Sequence, residues 1–110
     1  MPKPKKIDHL LEVVRACIER GKYRDTTHAL QRQKEKKIIL TEIIQVLNTG
    51  RHEKAKDRFD ESYDEWNYAI RGLTRDGLDM RVIVSFEGLK GLLIITAFYI
   101  EKEENGKAKD

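Results

Sequence analysis

Gly77–Glu101, GLDMRVIVSFEGLKGLLIITAFYIE, is the stretch whose reading decides the fold. Two apolar runs, Leu78–Phe86 and Leu92–Ile100, flank a short turn rich in glycine and lysine. Both favour β-branched and aromatic residues and have the length of strands rather than helices. Leu78, Met80, Val82, Val84 and Phe86 take every second position, while Asp79, Arg81 and Ser85 point the other way. That is the alternation of a half-buried strand. The second run is apolar on both faces, which places it in the middle of the sheet.

Upstream, Trp66–Thr74 reads as the partner strand and Arg75-Asp76-Gly77 as the turn between them. A three-residue hairpin loop puts a type I turn before a left-handed residue, and Gly77 stands where that residue is needed. This loop pairs Ile70 with Val82 and Tyr68 with Val84. Trp66, Tyr68 and Ile70 then share a face with Met80, Val82 and Val84. A two-residue loop would mix that face with Asn67 and Arg71, so the hydrophobic pattern selects the longer one. On the opposite face Arg71 stands across from Arg81, with Asn67 and Ser85 close by. Like charges facing each other across strands are destabilising and call for an anion or a carboxylate. Two readings follow. One is a phosphate or RNA-backbone site, since guanidinium forks match phosphate geometry. The other is a pair of arginines on an open sheet face, held by Asp79 or Glu65.

Before this hairpin lies Arg51–Phe59, RHEKAKDRF, followed by an acidic loop, Asp60–Glu65. Read as a strand, it presents His52, Lys54, Lys56 and Arg58 on one face and Glu53, Ala55, Asp57 and Phe59 on the other. Side chains two strand residues apart stand ~6.6–6.8 Å from each other, close to the spacing of successive phosphates. An edge strand that carries lysines against aggregation is the competing reading.

Met1–Lys6 is a basic lead expected to fray. Ile7, Leu10, Leu11, Val14 and Ile18 recur at helical spacing, with Asp8 favouring the start and Gly21 marking the end. Cys17 sits beside that apolar stripe and reads as a core residue rather than a nucleophile. Lys22–Asp25 forms a short strand. Thr26 or Thr27 caps a second helix running through Ala29, Leu30 and Lys34. Thr41 caps a third, with Ile43, Ile44 and Leu47 buried and Asn48 and Gly50 at its end. His28 and Arg32, four apart, share one face of the second helix. Thr96 and Tyr99 lie on the last strand, and only one of them can join the arginine face. Helices first and antiparallel strands after predict an α+β domain with its helices on one sheet face. It spans residues 1–101, and the charged stretch 102–110 is expected to be a disordered tail.

At 110 residues the chain fits one domain. A formal net charge of +3 leans mildly toward an anionic partner. No apolar run reaches the ~20 residues of a membrane span, and no signal peptide is visible at the N-terminus. A single cysteine fits a reduced, cytoplasmic setting. No Cys/His cluster has zinc spacing, no Gly-rich loop suits a phosphate, and no repeat is present, so neither a metal nor a cofactor is expected.

An amphipathic helix leads to Thr26-Thr27-His28-Ala29, then Arg32, then a short third helix ending in Gly50. A basic strand, Trp66-Asn67 and an apolar hairpin follow. Over nearly all of Ile7–Glu101 this order resembles the MqsR-type mRNA interferases and their relatives in the RelE-like toxin superfamily. The resemblance implies a helices-on-sheet fold and a small bacterial ribonuclease that needs no metal and works in the cytoplasm. It implies RNA as substrate and a neighbouring-gene antitoxin as partner, one that in the MqsR type typically carries a zinc-binding domain. By resemblance, Lys56 (or Lys54) takes the place of the lysine on the first strand of the meander. Asn67 stands where a glutamine is usual, and Arg81 or Tyr99 would supply the remaining polar groups; Arg71, read from its place across from Arg81, completes the candidate catalytic set. His28, Arg32, His52, Lys54, Arg58 and Asn67 would hold the RNA. Such a site cleaves RNA with its own 2′-hydroxyl, so a base, phosphorane-stabilising cations and an acid are required. The competing class is a non-catalytic module that uses the same basic face to bind nucleic acid or protein.

Overall fold

Thr74, Arg75, Asp76 and Gly77 set the register of the sheet. The Gly77 N–H donates to the Thr74 carbonyl at 2.9 Å, with Gly77 at φ +79°, a conformation that glycine adopts without strain. A computed structural model describes residues 3–88 and 91–101. In chain order its elements are α1 (Leu10–Glu19), β1 (Tyr23–Asp25), α2 (Thr27–Lys36), α3 (Leu40–Thr49) and β2 (Arg51–His52). A 3-10 turn (Lys54–Lys56), β3 (Arg58–Asp60), β4 (Glu65–Leu73), β5 (Asp79–Phe86) and β6 (Leu92–Tyr99) follow. The chain is an α+β domain. The 102–110 tail lies outside the described residues.

The register is the one that the hydrophobic pattern requires: Tyr68 faces Val84, Ile70 faces Val82 and Arg71 faces Arg81. Strand order is β1-β6-β5-β4-β2, with β3 also pairing to β4. β6 therefore has a neighbour on each side, as its two apolar faces demand. The sheet is mixed rather than antiparallel throughout, because β1 runs parallel to β6, with Tyr23 opposite Leu92 and Asp25 opposite Ile94. Three residues carry too little pattern to fix a strand's direction.

One sheet face is dry. Val14 of α1 and Ile43, Val46 and Leu47 of α3 pack onto Ile70, Val82, Val84 and Ile94, all fully buried. Each such side chain is worth about 1.5–3 kcal/mol of transfer free energy. The approach of α3 to β4 is close enough to require glycine. A Cβ at Gly50 would lie 2.5 Å from the Arg71 carbonyl oxygen, and one at Gly72 would lie 2.9 Å from the Gly50 Cα.

The three helix starts differ from one another. Thr26 caps α2, accepting the Ala29 N–H at 3.0 Å while its hydroxyl donates to the Ile95 carbonyl at 3.1 Å. That second bond ties the helix start to β6, and α2 then packs along β6. Asp8 and Thr41 do not cap. His9 and Ile39 hold those positions without a side-chain hydrogen bond, and burial of apolar faces supplies what the caps do not. Within the N-terminal lead, Pro4 and Lys6 are pinned rather than frayed. Lys6 reaches Asp57, the Ile7 N–H donates to the Tyr68 hydroxyl, and the Trp66 indole donates to the Pro4 carbonyl. Among the described residues no helix is long and apolar enough to cross a membrane.

Candidate functional site

The arginine pair exists, and an anion of the protein itself lies between its members. Arg81 donates to both oxygens of Glu53, from Nε at 2.6 Å and from Nη2 at 3.2 Å. Arg71 grips Asp79 with Nε at 3.0 Å and Nη2 at 2.6 Å, and reaches Glu53 with Nη1 at 3.2 Å. The Arg81 side chain is 7% exposed, and its guanidinium stands 5.6 Å over the Phe98 ring. The hydrogen bond from Arg81, assisted by Arg71, holds the Glu53 carboxyl below its ordinary range against the opposing effect of burial. The hydrogen bonds that Arg71 donates to Asp79, and then to Glu53, push it still higher than a free guanidinium. Asp79 is one of the two carboxylates that the sequence offered. The other is Glu53 rather than Glu65, which pairs across the sheet with Asp60 of β3.

The basic row does not form. His52 lies opposite Ile70 and Arg58 opposite Asn67, so six residues of this edge span three of β4. The surplus leaves the sheet as the 3-10 turn Lys54–Lys56, which carries both lysines exposed. An odd surplus reverses the parity, so His52 and Arg58 emerge on opposite faces. His52 turns to the core side. Its Nε2 lies 2.8 Å from Asp57 and its ring meets Tyr68 edge-on at 5.9 Å. The wholly buried Asp57 side chain also accepts from Lys6 at 3.0 Å and from the Ala69 N–H at 2.9 Å. It supplies the acceptor that the broken strand no longer offers to β4. Burial raises the pKa of the Tyr68 phenol beside it.

What the open sheet face does assemble is a trough of about 680 Å³. Asn67, Ser85, Leu93 and Ile95 line it from the sheet, Thr27 and His28 from the start of α2, and Asp60, Tyr63 and Glu65 from the β3–β4 hairpin. His28 is exposed, and so is Tyr63, at 78%. Arg58, across from Asn67 on this face, donates to the Asp57 carbonyl at 3.1 Å. Further along α2, Arg32 and Lys36 line a second depression of about 390 Å³ with Phe98, Tyr99 and Glu101. Among the described residues, no carboxylate lies within ion-pair distance of His28, Arg32, Lys36 or Arg58. Arg24 and Glu87, at the trough's end, pair with each other.

Of the ten residues named from the sequence, the trough face therefore brings together His28, Asn67 and Arg58. Arg32 lies one helical turn beyond His28. Arg71 and Arg81 occupy the same sheet face but are engaged by carboxylates. Lys54 and Lys56 ride on the turn, and His52 is on the core side. The register of β6 assigns the remaining choice. Thr96 faces Ile83 on the open side, its Oγ1 buried with no partner, whereas Tyr99 faces Met80 and packs against the core. Two participants went unread. Glu53 was legible as a continuation of β2, since alternation from Arg51 puts residue 53 on the arginine face. Tyr63 had only its place, an aromatic in an acidic loop, to mark it. Among the described residues no three His, Cys, Asp or Glu side chains are grouped to hold a metal ion.

No curated protein and no solved structure matches this chain. A protein-family model, described as domain of unknown function DUF4258, matches residues 26–99, from the cap of α2 to the end of β6. The chain belongs to that family.

Proposed function

We propose that this domain is an endoribonuclease, the toxin member of a toxin–antitoxin pair, working in the bacterial cytoplasm with the open-face trough as its site. One observation carries the reading. His28 and Asn67, 39 residues apart in the chain, line the same trough, and Arg58, with no carboxylate in ion-pair distance among the described residues, pairs in register with Asn67 on that side of the sheet. An imidazole titrates near neutrality and can hand a proton either way. A guanidinium without a carboxylate is free to meet a phosphate. The 2′-oxygen of the substrate attacks the adjacent phosphorus as its proton leaves to a base, and the bond to the 5′-oxygen breaks as that oxygen takes a proton. His28 serves one of these transfers, Arg58 and Arg32 hold the phosphates, and Asn67 orients the strand. Arg71 and Arg81 act as posts that position Glu53 and the 3-10 turn. The likeness in element order to the MqsR-type and RelE-like toxins supports the same reading and brings with it a neighbouring antitoxin.

The second reading, a module that binds without cleaving, is favoured by the engagement of both sheet-centre arginines with Glu53 and Asp79. One experiment separates the two. Purified protein is incubated in excess chelator with single-stranded RNA and with the same RNA 2′-O-methylated throughout. The ribonuclease leaves a 2′,3′-cyclic phosphate and a 5′-hydroxyl on the first and does not cut the second, though it binds both. His28→Ala lowers cleavage about 100-fold or more without moving the melting curve, because the imidazole is exposed. Binding with cleavage of neither RNA assigns the domain to the second class.

A further inference from the structure

Three arginines stand in register across three adjacent strands: Arg51 of β2 faces Arg71 of β4, which faces Arg81 of β5. Residues directly opposite share a sheet face, so three guanidinium groups start from one side. Glu53 and Asp79 neutralise two of them. Arg51 is exposed, and among the described residues no carboxylate lies within ion-pair distance of it. The uncompensated charge of this ladder therefore sits at the sheet edge.

That edge is hollow. A depression of about 560 Å³ opens where the end of α3 meets β4, lined by Arg51, Arg75, Thr74, Gln45 and Thr49 among others. Arg75 is also exposed and without a carboxylate in ion-pair distance among the described residues. It is its backbone N–H, not its guanidinium, that donates to Glu42. Thr74 Oγ1 accepts the Leu78 N–H at 3.1 Å, which leaves its hydroxyl proton to donate. The carbonyls at the end of α3 would repel an anion here. Arg15 caps them, donating to the Leu47 carbonyl at 3.0 Å and to that of Gly50 at 2.9 Å. We propose that this depression binds a phosphate group through Arg51 and Arg75, with Thr74 as a further donor. The depression shares no lining residue with the trough, so the proposal stands apart from the ribonuclease reading.

The test is a titration of isotope-labelled full-length protein with inorganic phosphate, followed by amide and arginine Nε shifts, with chloride at equal ionic strength as reference. Phosphate is expected to give saturable shifts at Gly50, Gly72, Thr74, Arg51 and Arg75 that chloride does not. Arg51→Gln and Arg75→Gln each weaken the apparent affinity about tenfold, the worth of one charge-assisted hydrogen bond. The double variant abolishes it, and Arg51→Lys recovers only part. Because both side chains are exposed, these variants melt with the parent. Shifts that do not saturate, that chloride reproduces, or that persist in the double variant overturn the proposal. A 2′-O-methyl tetranucleotide identifies the source. Movement of the same amides makes the occupant a polynucleotide backbone, whereas movement with inorganic phosphate alone makes it a free phosphate.

Discussion

Arg81 and Arg58 lie on the same face of one sheet, carry the same group and meet opposite circumstances. Arg81 is buried between Phe98 and Glu53, with two of its nitrogens committed to a carboxylate. Arg58 stands exposed on the outer hairpin and spends one nitrogen on the backbone carbonyl before it. The difference teaches where an anion can bind. A guanidinium taken out of water must bring its counter-charge along, so the arginines nearest the sheet centre are the ones already answered. Counting arginines on a face therefore overstates a site, and a cation left uncompensated beside a cavity is the better sign of one.

The comparison can be broken most forcefully at Glu53. Glu53→Gln keeps the shape but removes a carboxylate that both Arg81 and Arg71 grip, and should cost on the order of 3 kcal/mol of unfolding free energy. Arg58→Gln should stay within about 0.5 kcal/mol of the parent. Denaturant unfolding of the two variants measures both. Equal losses would show that burial does not separate the two arginines.

The next effect sharpens the other half. With 2′-O-methyl RNA, which cannot be cut, the affinity should fall with salt, and each lost phosphate contact should lower the slope by about 0.7. Arg58→Gln and Arg32→Gln should each remove about one such contact, and Lys36→Gln no more than that. Glu53→Gln, assayed where it is folded, should leave the slope unchanged. A slope that falls with Glu53→Gln but not with Arg58→Gln would move the RNA onto the arginine pair.

Much of this fold was legible because two signals agreed. Alternation in Leu78–Phe86 and the left-handed requirement met by Gly77 gave one register, and the strands pair in that register, which put Arg71 across from Arg81. The basic row was misread because RHEKAKDRF alternates cations with period two without the β-branched residues that hold a strand. Nothing local announces the 3-10 turn. It forms because buried Asp57 gains Lys6, His52 and the Ala69 amide, and Lys6 lies 51 residues away. The trough was half legible. His28 and Arg32 share a helix face by spacing alone, but their meeting with Asn67 depends on Thr26 bonding to Ile95 across the β6 edge, a contact that no pattern in the chain encodes.

The smallest effect lies in the acid limb of stability, where Glu53 and Asp25 oppose each other. Glu53 is held low chiefly by the Arg81 hydrogen bond. Its contribution is complete above the ordinary glutamate pKa of about 4.3 and is lost as the pH falls through the lower folded-state value. Asp25, whose pKa is raised by burial despite the hydrogen bond from Gln33, has the opposite sign. It costs stability at neutral pH, and that cost is relieved as the pH falls through its raised value. Two variants separate the contributions. The deficit of Glu53→Gln relative to the parent should be constant from pH 7 to about pH 5 and should shrink below the ordinary glutamate value, as the parent's own Glu53 takes up its proton. Asp25→Asn, which retains an acceptor for Gln33, should gain stability at pH 7 and lose that advantage in acid. Chemical denaturation from pH 3 to pH 7 reads both. A Glu53→Gln deficit that does not change with pH would mean that the carboxylate acts there through shape and hydrogen bonding alone, and that Arg81 does not need its charge.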